Sequence, residues 1–477
     1  MGQEISGSRF KKHDFEAFSR RLKTETHLLE RWFAEQRFSA RHGTVGFELE
    51  AWLVDAAAQP APENVRFLQR LPDALVTPEL SLFNIELNST PLALGGNALG
   101  AMHRELSANW LRCREAAAAM GLRLAMIGIL PTVRDEVLTL ANMSLLSRYK
   151  ALNEQVMRLR GGRALVLEIQ GREHLRTEHH DVMLEAATTS FQIHLQVAQG
   201  KAARYFNVAT ILSAPMVAVS ANSPLLFGRR LWQESRIPLF EQAVDIGGIE
   251  GAAFGPLKRV TFGSGYVRES MFELFHENLE HYPMLLPVEL DEQPETLSHL
   301  RLQNGTIWRW NRPLVGFDED GTPHLRIEHR VVPAGPSVID SIANAALFFG
   351  LMTAIAEQER GVEVKLDFAR ARDNFYNAAK HSLDASIVWL DGRNWNLQEL
   401  FRRRLLPMAR EGLEELSCAA GDIDRYLGII DERGRTGRTG AAWQGDYVEQ
   451  TGSDMAKLLE RYLELQDSGM PVHEWPI

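Results

Sequence analysis

Four short stretches place metal- and phosphate-seeking side chains at every second position: Gly46-Phe47-Glu48-Leu49-Glu50, Asn84-Ile85-Glu86-Leu87-Asn88, Gln192-Ile193-His194-Leu195-Gln196 and Arg326-Ile327-Glu328-His329-Arg330. Carboxylates with an imidazole and guanidinium groups are what a site needs to hold a divalent cation against phosphate oxygens. In a β-strand successive side chains point to opposite faces, so residues two apart share a face. Each stretch therefore has one face of Phe, Ile or Leu, apart from His329, and another of Glu, Gln, Asn, His or Arg. A single sheet built from all four would gather Glu48, Glu50, Glu86 and Glu328, with His194 and Arg330 beside them. Two carboxylates about 6 Å apart repel by roughly 3 kcal/mol at an effective dielectric near 20. Cations relieve that cost, and an oxygen-rich set suits Mg2+ or Mn2+, with water and substrate phosphates as further ligands. Alternation with charged residues is also the pattern of an ordinary half-solvated antiparallel strand. Four such stretches with so little Lys, Ser or Thr on the polar side favour a functional face.

These strands need elements to hold them. Asp14 to Phe38 has Phe15, Phe18, Leu22, Leu28, Leu29, Trp32 and Phe33 at helical spacing among charges, an amphipathic helix. Asn97 to Met120 reads as a second helix, with Gly121 as its C-terminal cap. Ala125 to Leu130 resembles a buried strand, Glu185 to Val197 carries the third polar face, and Ala202 to Val219 and Ser337 to Glu357 read as buried helices. Trp308 to Val315 and His324 to Val332 flank Asp318-Glu319-Asp320-Gly321 as a β-hairpin. From Phe368 onward the chain is expected to be mostly helical. Because long helical insertions separate the four polar strands, they fit one large α+β domain rather than a local module.

Composition narrows the function classes. A formal net charge of −10 over 477 residues argues against general affinity for nucleic acid or anionic membrane. Cys113 and Cys418 are too few for a disulfide framework, and a cytoplasmic location fits. Met1 to Lys12 lacks the apolar core of a signal sequence. The most apolar run, Ser341 to Ala356, is shorter than a membrane span and contains Asn344. No G-x-x-x-x-G-K-[ST] occurs, Phe262-Gly263-Ser264-Gly265-Tyr266 lacks the third glycine of a dinucleotide fingerprint, and His276 and His281 are five apart rather than four. His179 and His180 read as solvated surface residues. Any phosphate bound here is therefore left to metal and arginine.

The stretches GFELE, NIELNSTP, FQIHLQV, ANSPLLFGRRLWQESR and RIEHR, in that order, resemble the bacterial glutamate-cysteine ligase family of the carboxylate-amine ligase type. Glu48 and Glu50 match its G-x-E-x-E strand, and Glu86 to Pro91 its E-L-N-x-x-P. Asn222-Ser223-Pro224 with Gly228 and Arg236 match N-S-P…G…S-x-R, and Glu328 with Arg330 its E-x-R. The likeness runs from about Gly43 to Trp443, and Arg435 to Gln444 are similar to the family's C-terminal glycine-basic loop. Gly228 to Arg236 lacks the family's acidic residue and second glycine, and Gln192 stands at its first histidine position. The resemblance implies a glutamine-synthetase-like fold, a curved, mostly antiparallel sheet with a polar catalytic face, backed by helices. Residues 1–42 would form an N-terminal helical segment, 43–444 a single catalytic domain, and 445–477 a C-terminal helix and tail.

The implied reaction is ATP- and Mg2+-dependent phosphorylation of a glutamate carboxylate, followed by attack of an amine on the acyl phosphate to give a gamma-glutamyl amide. In that reading Glu48, Glu50, Glu86, His194 and Glu328 hold metal, with His194 alternatively a phosphate contact or a satisfied buried histidine. Arg330, with Glu328, serves catalysis by stabilising the transferred group. Arg236, Asn222 and Ser223 are expected at the substrate, and Thr306, Trp308, Arg312, Arg435 and Arg438 at the nucleotide. Small-molecule substrates are the expected partners, and a homo-oligomer is left open. A phosphotransferase on the same scaffold, or a regulatory protein that binds metal and nucleotide without turnover, is the alternative.

Overall fold

A computed structural model describes residues 4–5, 7, 9–247, 258–359 and 361–477. An eight-stranded sheet forms its centre. Its principal strands are β1 (Thr44–Val54), β2 (Val76–Pro78), β3 (Asn84–Asn88), β4 (Phe191–Val197), β5 (Asn311–Phe317) and β6 (Pro323–His329). They lie in the order β5-β6-β4-β1-β3-β2, with every neighbouring pair antiparallel. The 11-residue β1 changes partners along its length, pairing with β4 through residues 45–49 and with a short strand, Arg123–Ala125, through residues 52–54. The sheet curls around that long strand, and the fold is α+β.

Register brings the distant polar residues together. Glu48 stands opposite Asn88 on one side and Gln192 on the other, and Glu50 opposite Glu86. Glu328 stands between His194 and Arg312. With a side-chain period of two, these registers set the whole polar set on one face. The other face carries Phe47, Leu49, Ile85, Leu87, Phe191, Ile193, Leu195, Leu325 and Ile327, all buried. Each such side chain, fully buried, contributes roughly 1.5–3 kcal/mol of hydrophobic stabilisation.

The helices that cover this apolar face are themselves apolar all round. Gln199–Ser220 packs on β4, β5 and β6, and Val338–Gln358 packs against it. Both are long and apolar enough to cross a membrane by composition, yet 89% of each one's most apolar window is buried inside the protein, as expected of core helices. His329 points to this side with its cross-strand partner Asn311: it stacks on Phe348 with ring centroids 4.3 Å apart and bonds Asn311 Oδ1 through Nδ1 at 2.7 Å. A Cβ on Gly350 would collide with the Ala409 carbonyl, so glycine there lets Leu406–Glu415 pack directly on Val338–Gln358.

The first and last long helices are tied into this body. The helix Lys12–Ala34 packs on Phe272–His281 and Ser298–Asn304, where buried Glu25 bonds His299 Nδ1 at 2.6 Å and accepts from Leu300 N at 2.8 Å. From the helix Met455–Ser468, Gln466 accepts from Met126 N at 2.7 Å and donates to Leu124 O at 3.0 Å, and Tyr462 donates to Met126 O at 2.7 Å.

Several elements differ from the sequence expectation, for physical reasons. The strand expected at Ala125 to Leu130 is confined to Arg123–Ala125, because side chains of Tyr462 and Gln466 take the backbone groups of Met126 that a ladder would use. The strand expected from Glu185 begins at Phe191, and Met183–Ala187 is a 3-10 turn. Trp308 lies outside the hairpin: Trp308–Arg309 pairs in parallel with Val260–Thr261. Beyond Phe368 the chain is helical except for a hairpin of Ser386–Val388 with Asn394–Asn396. His179 is not a solvated surface residue: it is buried, with Nε2 2.7 Å from Asp135 Oδ1.

Candidate active site

The polar face of the sheet forms one wall of a cavity of about 250 Å3. Glu48, Glu50, Glu86, Gln192, His194, Arg312, Arg326, Glu328 and Arg330 line it from the sheet. Gly46 belongs to the same face. A Cβ there would meet Ser89 Oγ at 3.0 Å, so the glycine leaves this row of the sheet open beside His194.

Two groups of metal-ligating atoms converge in the cavity. In the first, His194 Nε2 lies 3.6 Å from Glu48 Oε1 and 3.7 Å from Glu328 Oε1. The imidazole is buried and this nitrogen has no hydrogen-bond partner among the described residues. Burial pushes the His194 pKa down to about 4 against the pull of Glu48 and Glu328, so the ring is neutral at pH 7. A neutral imidazole nitrogen facing two carboxylates is a donor set for a divalent cation. Burial raises the Glu328 carboxyl too, but Arg312, Arg330 and His194 overrule it and hold it well below the usual carboxylate range.

The second group is Glu50, Glu79 and Glu86, whose oxygens, like the ligand atoms of the first group, come within 4.8 Å of one another. Burial, then Glu86, pushes Glu50 up to about 7 against the pull of Arg330. Burial and Glu50 do the same to Glu79, also to about 7, and burial with Glu48 and Glu79 raises Glu86 well above its ordinary value. Thr77 Oγ1 and Asn88 Nδ2 donate to Glu86 Oε1 at 3.1 and 3.0 Å. Ser190 N and Gln192 Nε2 donate to the two oxygens of Glu50 at 2.6 and 2.9 Å. Three carboxylates whose oxygens converge are a hard-oxygen donor set of the kind that suits a divalent cation.

The arginines divide by what they hold. Arg312 grips Glu328 through both Nε and Nη2. Arg330 donates to Glu328 Oε2 at 2.9 Å and to Gln192 Oε1, and its buried Nε has no partner among the described residues. Gln192 thus bridges Glu50 and Arg330. Arg326 lines the cavity with its Nε also unpartnered among the described residues.

Away from the acids the wall becomes apolar, with Phe275, Leu286, Leu300, Leu302, Leu314 and Val315. Thr306, Trp308 and Arg312, expected from the sequence at the nucleotide, line the cavity. Thr306 is held by Arg259, which donates to its carbonyl at 2.7 Å and to its Oγ1 at 3.0 Å.

Other expected site residues are not brought here. Arg435 is at the solvent-exposed end of the helix Ala420–Thr436, paired with Glu432 at 2.7 Å, and Arg438 donates to Trp475 O at 2.7 Å. The expected glycine-basic loop is largely helical, and neither arginine lines the cavity. Arg236, Asn222 and Ser223, expected at the substrate, are buried and are not among the residues that line the cavity. Arg236 pairs with Glu234 at 3.2 Å and donates to the carbonyls of Arg330 and Val331 at 3.1 and 2.5 Å. Ser223 Oγ accepts from Arg236 N at 3.1 Å, and Asn222 donates to Ala334 O and bonds Tyr462, both at 2.8 Å. Through Nη2, Arg236 thus fixes the backbone that carries Arg330.

Sequence reasoning missed Glu79, Glu185, Arg148, Tyr149 and Arg301, which also line the cavity. None lies in an alternating strand. Glu79 lies just beyond β2, seven positions before Glu86. Burial, then Glu50, pushes the Glu185 carboxyl up to about 8 against the pull of Arg330.

A curled antiparallel sheet with a polar face of carboxylates, one histidine and arginines, backed by apolar helices, defines an ATP-dependent carboxylate-amine ligase once its family is known. The chain belongs to glutamate-cysteine ligase family 2, whose sequence profile matches residues 44–460. Two solved structures share the fold. One is a glutamate-cysteine ligase from Francisella tularensis in complex with AMP, with a TM-score of 0.50 and 10% identity over 92% of this chain and 91% of that one. The other is a bifunctional glutathione synthetase from Pasteurella multocida, with a TM-score of 0.53 and 14% identity over 92% of this chain and 55% of that longer one. Comparison with curated protein sequences finds no match.

Proposed function

We propose that this ligase uses ATP to activate the side-chain carboxylate of glutamate as an acyl phosphate and passes it to a primary amine, forming a gamma-glutamyl amide. The observation that carries the reading is His194 Nε2, a buried neutral donor without a hydrogen-bond partner among the described residues, facing Glu48 and Glu328 inside an acid-lined cavity. Glu48, His194 and Glu328 would hold one Mg2+ or Mn2+, and Glu50, Glu79 and Glu86 another. Such ions supply charge neutralisation for phosphoryl transfer.

The residues of the chain do the rest by position and charge. Arg330 and Arg326 stand on the cavity wall as the cations for phosphate oxygens, a role arginine keeps because it stays charged. Thr306, Trp308 and the apolar residues beyond them take the nucleotide base, and Arg312 holds Glu328 in place. Water exclusion at the apolar end strengthens every charge interaction within. The two cysteines, both buried and free, fit a cytoplasmic setting.

The test is condensation of glutamate with a panel of amines, with ATP, with and without Mg2+, read by mass spectrometry. Amide formed in proportion to ATP consumed, and only with divalent metal, supports the reading. ATP consumption that needs no amine and yields a stable phosphorylated product would assign a phosphotransferase.

A further inference from the structure

Six carboxylates line the cavity: Glu48, Glu50, Glu79, Glu86, Glu185 and Glu328. Five of them belong to the two metal-ligating groups. Glu185 does not. It rises from the 3-10 turn Met183–Ala187, immediately before β4, and its carboxylate has no hydrogen bond or ion pair among the described residues. Its electrostatic neighbours are Glu50, which repels it, and Arg330, which attracts it. Arg330 is already committed to Glu328 and Gln192.

A carboxyl on a cavity wall, with an acid beside it and no cation of its own, ionises when a cationic ligand group comes to it and is then complementary to that group. The reaction proposed above brings one such group, since an alkyl amine arrives in water as its ammonium. Tyr149, Leu152 and Val182 line the same cavity and supply apolar surface for the carbon chain of such a ligand. We infer, on the ligase reading, that Glu185 binds the ammonium group of the amine acceptor and makes the enzyme prefer charged amines to neutral ones.

The experiment compares Glu185→Gln and Glu185→Asp with the unsubstituted protein, using hydroxylamine, largely uncharged at neutral pH, and cysteine, ethylamine and ammonium as charged probes. Hydrogen bonds to a charged group suggest a loss of roughly 10- to 100-fold. Glu185→Gln is expected to raise KM for the best charged acceptor by that factor, while hydroxamate formation and KM for ATP stay within about twofold. Glu185→Asp, which keeps the charge, should recover part of the loss. Equal losses with hydroxylamine and charged amines, a shifted Mg2+ requirement, or no change in KM would each overturn the assignment. So would a wild-type protein that makes hydroxamate but uses none of the charged probes. A wild-type protein that forms neither hydroxamate nor amide refutes the ligase reading itself, which is a separate result.

Discussion

Arg312 and Glu328 form a two-pronged ion pair across neighbouring strands, with Nε to Oε2 at 2.7 Å and Nη2 to Oε1 at 2.8 Å. The pair is buried, and Arg330 adds a third bond to the same carboxylate. Removing the charge of Glu328 therefore leaves two guanidinium groups without their anion. Glu328→Gln is expected to lower stability by about 3–5 kcal/mol and to cut turnover by at least about 100-fold. Chemical denaturation and a steady-state assay check both. A variant as stable as the parent would show that the pair is not what holds this wall.

Glu86 is expected to behave in the opposite way. It is raised by burial and by Glu48 and Glu79, so its charge is a strain in the metal-free protein. Glu86→Gln keeps an oxygen for Thr77 and Asn88 to donate to. The metal-free variant should melt no lower than the parent, its melting temperature should respond less to added Mg2+, and ligation should be lost. A Mg2+ response equal to that of the parent would remove Glu86 from the metal site.

The pH dependence follows from the signs of the shifts. Glu50 and Glu79 at about 7 and Glu185 at about 8 are raised from an ordinary 4.5. Their contribution to stability is full below 4.5 and is lost as pH rises through their folded values, because the unfolded chain releases those protons first. His194, lowered from 6.5 to about 4, and His329, lowered to about 3, act in the opposite direction between those values and 6.5. Above 6.5 the carboxylates act alone. The metal-free protein should therefore lose stability from pH 6.5 to about 8, and saturating Mg2+ should reduce that loss. Melting curves across this range, with and without metal, decide it.

Trp308 offers a ring at the apolar end of the cavity. Trp308→Ala is expected to raise KM for ATP roughly 10-fold, the scale of one aromatic stacking contact, with little effect on KM for glutamate. Arg435→Ala, at an exposed pair outside the cavity, should leave both parameters within about twofold. A large effect of Arg435→Ala would restore the nucleotide role that its sequence context suggested.

The alternation of Glu48, Glu50, Glu86, His194, Glu328 and Arg330 with bulky apolar residues was enough to indicate a sheet with one chemical face, because strand periodicity is local and independent of the rest of the chain. The family was legible by resemblance, and Thr306, Trp308 and Arg312, expected at the nucleotide, line the cavity. Register was not: nothing in the sequence says that Glu328 pairs with His194 and Arg312 rather than with residues two positions away. Glu79 and Glu185 come from segments with no strand period, so only the folded chain shows that they reach the cavity. Arg236 and Arg435 carry the same charge and were both expected in the site, yet one is buried on backbone carbonyls and the other lies in solvent. Local alternation along the chain determines which side chains share a strand face; three-dimensional packing decides which charges meet, since that depends on contacts between residues hundreds of positions apart.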